Sequence, residues 1–293
     1  MKIGLIGLDT SHSEIFTRLL NDRNDPYYVK GARITHAIPT FSEDLPISKS
    51  RFPQYFEIVI NKYGVIPIDN VATFMNAVDA VILGTVDGRN HLDWFKKIVG
   101  YGKPVFIDKP IVMSSAEMKE LMKLSAEHRT PVMSASSLRF AESVSRIANK
   151  GDIQSGYFFG PTPMQAQMPG YFWYGIHLVE MVVTLFGTEV EHINYEVHSD
   201  CEQIHFTFVN GKHVIIRGEN AWHNRFGAIL HSEEQIHSLQ LWTEQKPYYA
   251  GLIEHVVAFF KTGVTPVSLE ETAKIIHLIE NINKLRCVPV KKI

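Results

Sequence analysis

The chain has 293 residues, a length that predicts about two domains. Its hydrophobic content of 45% and its charged content of 20% are typical of a globular protein with a substantial core. The net charge of −2 provides no basic face, which argues against nucleic acid and against an anionic membrane surface as partners.

Neither membrane insertion nor secretion is indicated. No apolar run approaches the roughly 18 residues of a membrane-spanning helix, and the first residues read as a strand rather than as a leader peptide. The two cysteines, Cys201 and Cys287, stand far apart and form no CxxC pattern. These features predict a cytoplasmic protein.

The first half alternates apolar runs with amphipathic segments. Strands are predicted at residues 2–8, 32–38, 64–68, 80–84, 104–109 and 131–134. Helices are predicted at residues 11–22, 52–63, 71–77, 90–99 and 114–127, and the first begins with the S-x-x-E capping box Ser11-His12-Ser13-Glu14. This alternation indicates βαβ units, so we expect a Rossmann-like, doubly wound parallel sheet over residues 1–134.

The turn after the first strand departs from the dinucleotide-binding pattern G-x-G-x-x-G. The corresponding stretch is Gly7-Leu8-Asp9-Thr10-Ser11-His12, in which Asp9 and His12 replace the second and third glycines. The helix that follows still offers backbone N–H groups and a positive dipole end to an anion. The stretch is therefore either a modified phosphate cradle or a capped turn without a ligand.

The residues after the second strand depart from the pattern as well. An acidic residue that binds the adenosine ribose is expected there, but the chain reads Ile38-Pro39-Thr40. Glu43 and Asp44 follow later in a loop, and Lys49 and Arg51 are candidates for binding the extra phosphate of NADP. The choice between NAD and NADP stays open.

The run Pro104-Val105-Phe106-Ile107-Asp108-Lys109-Pro110 places a lysine at the end of a buried strand. Ligands of open α/β sheets gather at the carboxyl ends of the strands, so Asp9, Thr85 and Lys109 should lie along one edge. A solvated loop position is the alternative for a lysine in isolation.

The second half has consecutive strands, predicted at residues 189–198, 202–209, 212–219, 226–230 and 235–242. Asn210-Gly211 is a strong signal for a two-residue hairpin, and helices are predicted at residues 249–261 and 268–285. We therefore expect residues 135–293 to form an α+β domain with a mostly antiparallel sheet. The outer face of that sheet is either solvated or joined to a second copy of the chain.

An aromatic cluster, Tyr171-Phe172-Trp173-Tyr174, precedes an apolar helix that carries His177 and Glu180. Residues three apart share one face of a helix, so this carboxylate can orient the imidazole and raise its basicity. A core histidine is the alternative. The sequence argues against a zinc site made from His177 and Glu180, because no third ligand stands at a suitable spacing.

Several of these segments resemble the Gfo/Idh/MocA oxidoreductases. The resemblance rests first on Asp79-Ala80-Val81-Ile82-Leu83-Gly84-Thr85, on His91 and on the run from Gly102 to Pro110. The family has Thr-Pro and Glu-Lys-Pro where this chain has Thr85-Val86 and Asp108-Lys109-Pro110. Two further segments, Ser137-Leu138-Arg139-Phe140 and Gly175-Ile176-His177-Leu178-Val179-Glu180, are similar to its Asn-x-Arg-Phe and Gly-x-His-x-x-Asp motifs.

The resemblance implies binding of NAD or NADP and hydride transfer to or from a sugar, inositol or related polyol. It implies that Lys109 polarises the substrate oxygen and that His177, oriented by Glu180, is the general acid/base. The implied substrate residues are Arg139, Tyr171, Trp173 and Tyr174. The implied cofactor residues are Gly7, Leu8, Asp9, Thr10, Ser11, His12, Thr85, His91, Asp108 and Lys109. The resemblance also implies that copies of the chain associate through the second sheet.

Two other functions stay open. Asp9 and the missing acid after the second strand favour a non-catalytic relative that binds or senses a small carbohydrate without a dinucleotide. An enzyme that oxidises its substrate only transiently, in order to eliminate or hydrolyse a bond, would carry the same motifs. The presence of both Lys109 and His177 favours an enzyme over the non-catalytic relative.

Overall fold

The computed structural model describes residues 1–148 and 153–287, which belong to two compact units. The first unit contains Met1–Ala135 and the segment Tyr249–Thr272; the second contains Ser136–Tyr248 and the described residues from Ala273 onward. The sequence-based division placed residues 249–272 in the second domain. They join the first unit because Tyr249 hydrogen-bonds to His12 and packs on the ring of Phe16.

The first unit is built on a six-stranded sheet in the described part of the chain. Its strands are β1 (Lys2–Ile6), β2 (Arg33–Ile38), β3 (Ile66–Pro67), β4 (Ala80–Leu83), β5 (Val105–Ile107) and β6 (Val132–Met133). All pairs are parallel, and the order β3-β2-β1-β4-β5-β6 is that of dinucleotide-binding folds. β4 and β5 are buried along their whole length, as expected for strands of a parallel sheet covered on both faces. The predicted fold class is confirmed.

The helices between these strands are α1 (Ser11–Asn21), α2 (Pro46–Phe56), α3 (Val71–Ala77), α4 (His91–Ile98) and α5 (Ser115–Glu127). α2 begins earlier than predicted because Pro46 is tolerated in the first turn, where its missing N–H is not needed; a π-helix, Glu57–Lys62, follows it. The predicted capping box, which began at Ser11, is wrong. Thr10 is the N-cap, with an extended φ of −138° and a side chain that accepts the N–H of His12.

The second unit also carries a six-stranded sheet in its described part, of order β12-β11-β7-β10-β9-β8. The strands are β7 (Ile153–Pro161), β8 (Val190–Val197), β9 (Cys201–Phe208), β10 (His213–Glu219), β11 (Gly227–Ser232) and β12 (Ile236–Gln240). Neighbours are antiparallel except β7 and β10, which run parallel. The expected mostly antiparallel sheet is confirmed. A hairpin does form at Asn210-Gly211, but the predicted two-residue loop is wrong: Thr207 pairs with His213 and the N–H of Phe208 donates to the Lys212 carbonyl, so the loop consists of residues 209–211.

Strand β7 lies inside this sheet and was not predicted. Its glycines, Gly156 and Gly160, read as loop signals in the sequence. In the structure they admit large neighbours, because a Cβ atom would lie 2.9 Å from Leu230 at the first and 2.4 Å from Phe226 at the second. These glycines make room for neighbouring side chains and do not mark a turn, which is why the sequence did not reveal the strand.

The remaining helices are α6 (Glu142–Ala148), α7 (Gly175–Phe186), α8 (Tyr248–Thr262) and α9 (Leu269–Arg286). α7 covers one face of the second sheet, where Phe186 contacts the rings of Phe158 and Phe208. Phe206 points to this buried face, and His205 points to the other. No helix in the described ranges is long and apolar enough to cross a membrane.

Gly7 should be among the least replaceable residues of the first unit. It has a φ of +97°, and an added Cβ atom would lie 2.7 Å from the backbone nitrogen of Thr85. Gly102 has a similar φ of +66° but no atom within 4 Å of an added Cβ. We expect G102A to lose about 1 kcal/mol of unfolding free energy from backbone strain alone, and G7A to lose about 3 kcal/mol because a backbone clash is added.

Urea denaturation of both variants measures the difference. Equal losses in G7A and G102A would show that the turn relaxes around the added methyl group and would contradict the prediction.

Candidate functional site

The turn between β1 and α1 keeps the backbone of a dinucleotide-binding turn. The N–H of Gly7 donates to the Ile38 carbonyl, and the N–H of Leu8 donates to the Thr40 carbonyl. The positive φ at Gly7 allows the chain to pass close to Thr85 and enter α1. These contacts place residues 7–12 at the carboxyl edge of the first sheet.

Asp9, at the second glycine position, is fully buried. One carboxylate oxygen accepts a 2.6 Å hydrogen bond from Ser48 Oγ, and the other accepts a 3.0 Å bond from the N–H of Val86. Burial raises the pKa of Asp9 to about 6; the two hydrogen bonds act against this shift, and the charge of Asp87 adds to it. Both oxygens of the carboxylate are thus engaged inside the protein.

The partners of Asp9 belong to a larger network that holds the segment after β2. Ser48 Oγ also accepts a 2.8 Å bond from the N–H of Ser42, whose own hydroxyl donates to Asp87 at 2.7 Å. Burial would raise the pKa of Asp87, but hydrogen bonds from Arg89 and Ser42 hold it below the ordinary value. Asp87 is therefore the charged end of a network that begins at Asp9.

Three of the charged residues predicted to recognise the adenosine ribose or its phosphate, Glu43, Asp44 and Lys49, have protein partners. Lys49 Nζ lies 2.7 Å from Glu43 Oε2, and Arg89 Nη1 lies 3.0 Å from Asp44 Oδ2. These pairs are largely exposed, and exposed ion pairs contribute little to stability. A ligand could take the place of one partner in either pair at low cost. The choice between NAD and NADP therefore stays open.

His12, at the third glycine position, joins three elements of the first unit. Its Nδ1 lies 2.5 Å from Asp108 Oδ2, and its Nε2 lies 2.8 Å from the hydroxyl of Tyr249 in α8. Burial would raise the pKa of Asp108, but the charge and hydrogen bond of His12, together with the charge and N–H of Lys109, lower it to about 2. An ionised carboxylate only accepts hydrogen bonds, so Nδ1 of His12 carries a proton. This pair anchors the chain directly before Lys109.

His91 has a positioning role, which differs from the predicted cofactor contact. Its ring is fully buried, with Nδ1 2.8 Å from the Pro110 carbonyl and Nε2 3.0 Å from the Thr85 carbonyl. Burial lowers the pKa of this imidazole. His91 therefore ties together the loops that follow β4 and β5.

The first unit fits a dinucleotide in three respects. The positive φ of Gly7 and the N-terminus of α1 are both in place. Thr85 Oγ1 is buried and has no hydrogen-bond partner among the described residues. Asp9 and His12 add side chains to the cradle, but hydrogen bonds hold both within the protein. Residues 7–12 and Thr85 are the groups that would hold the pyrophosphate.

The second unit contains the histidine expected to transfer a proton. His177 is buried, and its Nδ1 lies 2.7 Å from Ser136 Oγ. Glu180 Oε1 accepts hydrogen bonds of 2.8 Å from the Ser136 N–H and 2.9 Å from Arg139 Nε. Ser136 thus links His177 to Glu180. Arg139 is buried against Glu180, where its Nε supports the carboxylate, and its predicted contact with the substrate stays a prediction.

The aromatic cluster divides between the core and the surface. Tyr171 is fully buried, and burial raises its pKa well above the ordinary value; Trp173 is also buried. The ring of Tyr174 is half-exposed and lies 5.8 Å from that of His177. Tyr171 is therefore a core residue, which corrects its predicted substrate role. Trp173 is 6% exposed and His177 is 5% exposed, so burial does not separate the two, and the substrate roles of Trp173 and Tyr174 stay predictions.

Sequence reasoning missed several residues of these clusters: Ser42, Ser48, Ser136 and Tyr249. Ser136 had a usable signal, because a serine directly before a turn commonly caps it, and its hydroxyl does accept the N–H of Leu138. The other three had no local signal. Within residues 1–148 and 153–287, no group of three or more His, Cys, Asp or Glu side chains is arranged to hold a metal ion.

Comparison with known proteins identifies relatives of this fold. The model of the oxidoreductase family with an NAD-binding Rossmann fold, GFO_IDH_MocA, matches residues 40–136. The uncharacterized oxidoreductase YhhX of Escherichia coli is 24% identical over 211 residues, which cover 66% of this chain. The match covers 56% of YhhX, so the chain spans about half the length of that relative.

Two solved structures have the same fold over nearly the whole chain. A myo-inositol dehydrogenase from Corynebacterium glutamicum has a TM-score of 0.76 at 11% identity, covering 97% of this chain and 96% of that one. An oxidoreductase from Agrobacterium radiobacter, in complex with NAD+, L-tartaric acid and magnesium, has a TM-score of 0.72 at 15% identity, with coverage of 97% and 96%. At these identities the likeness establishes the fold.

The burial of Asp9 should make stability depend on pH. Its pKa rises from 3.8 to about 6 on folding, so the folded protein retains the proton that the unfolded chain loses first. The stabilising contribution is present below about pH 4 and is lost as the pH rises through 6. We expect the unfolding free energy to fall by about 2 kcal/mol from this group between pH 4 and pH 7.5, and D9N to lack that decrease.

Urea denaturation across this pH range measures the effect. S48A is the matched variant, because it removes a hydrogen bond that lowers the pKa of Asp9; its stability should fall more steeply and up to a higher pH. The same pH slope in D9N as in the unmodified protein would contradict the burial of a titrating carboxylate.

Proposed function

We propose that this chain, a member of the Gfo/Idh/MocA oxidoreductases, is an NAD(P)-dependent dehydrogenase that acts on a CH–OH group. The family model over residues 40–136 and the order of the first sheet support the cofactor class. The observation that carries the proposal is the buried His177, whose Nδ1 is held by Ser136. A histidine in a fixed orientation is well suited to accept or donate a hydroxyl proton.

Each of the proposed catalytic groups has one task. In the direction of oxidation, His177 takes the hydroxyl proton while the substrate carbon gives up a hydride. A nicotinamide held by the first unit would supply the acceptor for that hydride. Lys109 stabilises the negative charge that develops on the substrate oxygen, and Glu180 keeps His177 oriented through Ser136. Reduction of a carbonyl reverses each step.

A sugar, an inositol or a related polyol is the substrate class that we propose. A structural neighbour is a myo-inositol dehydrogenase, and the half-exposed ring of Tyr174 beside His177 offers an apolar surface next to a proton acceptor. Small-molecule sites commonly combine such surfaces with a few polar groups.

We also propose a cytoplasmic protein that associates with itself through the outer face of the second sheet. Ile229, in β11, is 40% exposed, and Ile236, in the edge strand β12, is 66% exposed. Exposed apolar side chains on a sheet favour contact with a partner. Cys201 and Cys287 stand far apart in the sequence and form no CxxC pattern, which supports a reducing compartment.

The non-catalytic alternative has a specific observation in its favour. Asp9 places a carboxyl group in the cradle, and where it ionises it opposes a phosphate nearby. On that alternative the fold binds a small carbohydrate without a dinucleotide. Transient oxidation followed by bond cleavage would use the same His177 and Lys109 and differs only in its products.

Thermal unfolding with NAD, NADH, NADP and NADPH separates the first two functions. A ligand at a hundredfold excess over its Kd stabilises the folded protein by about 2.7 kcal/mol, which should raise the Tm by about 5 °C or more. We expect this shift with at least one of the four dinucleotides. An unchanged Tm with all four would contradict the dehydrogenase and favour the non-catalytic relative.

Kinetics of two variants test the proposed roles. We expect K109M and H177Q to lower kcat by about 10²- to 10³-fold with whichever sugar or inositol is oxidised, while the Kd of the dinucleotide changes by less than about threefold. K119M removes a lysine from the exposed surface of α5 and is the matched control. If K109M weakened dinucleotide binding as much as it lowered kcat, the lysine would serve only to anchor the cofactor.

A further inference from the structure

An exposed tryptophan continues the aromatic surface beside His177. Trp222 lies in the loop between β10 and β11 and is 58% exposed. Its ring lies 4.7 Å from the ring of Tyr174, at an angle of 53°. Tyr174 in turn lies 5.8 Å from His177. One indole, one phenol and one imidazole thus form a continuous row of rings within the second unit, from the exposed Trp222 to the buried His177.

The loop that presents Trp222 is held on both sides. Before it, the N–H of Asn220 donates to the Asp200 carbonyl at 3.1 Å. After it, His223 Nε2 lies 2.6 Å from Glu219 Oε2, and its Nδ1 accepts the N–H of Arg225 at 3.1 Å. An exposed ring on an anchored loop is pre-organised for a ligand, because little conformational freedom remains to be lost on binding.

Phe226 completes the arrangement on the other side of His177. It is buried, and its ring meets that of His177 edge-on at 5.8 Å. The imidazole therefore has aromatic rings on two sides, of which only the Tyr174 side leads to an exposed ring. Single exposed apolar residues are common on protein surfaces. Trp222 differs from them because it adjoins a buried histidine held by a hydrogen-bond network.

We propose that Trp222, together with Tyr174, binds the carbon face of a cyclic polyol and selects ring-shaped substrates over open-chain ones. The C–H groups on one face of a cyclitol or pyranose ring form an apolar surface, and the electron-rich face of an indole attracts it. An open-chain polyol of similar composition has no such persistent face. This inference rests on the proposed function of His177, narrows the proposed substrate class to ring compounds and assigns a specificity-determining residue to that site.

Equilibrium binding to the 293-residue chain tests the proposal. The probes are myo-inositol and glucose as ring compounds and sorbitol as the open-chain compound, titrated by calorimetry with and without saturating NAD. We expect the ring compounds to bind more tightly than sorbitol by about tenfold or more. We expect W222A to lose about tenfold in affinity for the ring compounds, and W222F, which keeps an aromatic face, to recover most of it.

Trp242 supplies the matched control, because it is also exposed (36%) but packs on Phe159. W242A should bind the ring compounds as the unmodified protein does. Three results would each overturn the proposal: equal affinity of W222A and the unmodified protein, equal affinity for sorbitol and myo-inositol, or no binding of either ring compound.

The test of the Trp222 role and the test of the dehydrogenase can fail separately. If a dinucleotide raises the Tm and W222A oxidises substrates without change, the dehydrogenase stands and the role of Trp222 falls. If ring compounds bind through Trp222 while no dinucleotide raises the Tm, the role of Trp222 stands and the dehydrogenase falls.

Discussion

A carboxyl group buried at the end of β1 determines much of the first unit. Asp9 is fully buried, and an ionisable group in such a position is costly unless hydrogen bonds satisfy it. Ser48 and the N–H of Val86 supply those bonds, and each comes from a different connection of the sheet. The segment after β2 must therefore fold back over the first turn. The cradle thus depends on a polar network that a glycine would not require.

His12 has the corresponding effect at the third glycine position. Its two ring nitrogens contact Asp108, after β5, and Tyr249, in α8. A glycine there would leave Asp108 without this partner, and an unpaired buried carboxylate is unfavourable. The same contact explains why the segment Tyr249–Thr272 belongs to the first unit although it follows the second sheet in sequence. The side chains that replace the motif's glycines thus contact elements that are far from the motif in sequence.

Local patterns were sufficient to predict the doubly wound sheet and the hairpin. Parallel strands such as β4 and β5 are buried on both faces and read as plain apolar runs. Strand β7 was missed because its glycines serve packing, which only the folded neighbours reveal.

Candidate site residues could be named from the sequence only where the signal is local. Lys109 and His177 stood out because a strand end and a helix face present them. The contacts that support the two clusters join distant positions: Ser136 lies 41 positions from His177, Asp108 lies 96 from His12, and Tyr249 lies 237 from His12. No spacing rule connects residues so far apart, because the topology of the sheet brings them together.

The network around His177 bears on whether this chain is an enzyme. Arg139 and Glu180 form a buried ion pair, and such pairs commonly contribute less stability than apolar residues of the same volume. A protein that used this region only for packing would gain nothing from two charges there. The pair does, however, hold Ser136, and Ser136 holds the Nδ1 of His177. Glu180 stands where the motif that this segment resembles has an aspartate, and its carboxylate accepts the Ser136 N–H. A costly arrangement that orients one imidazole supports proton transfer as the purpose of this site.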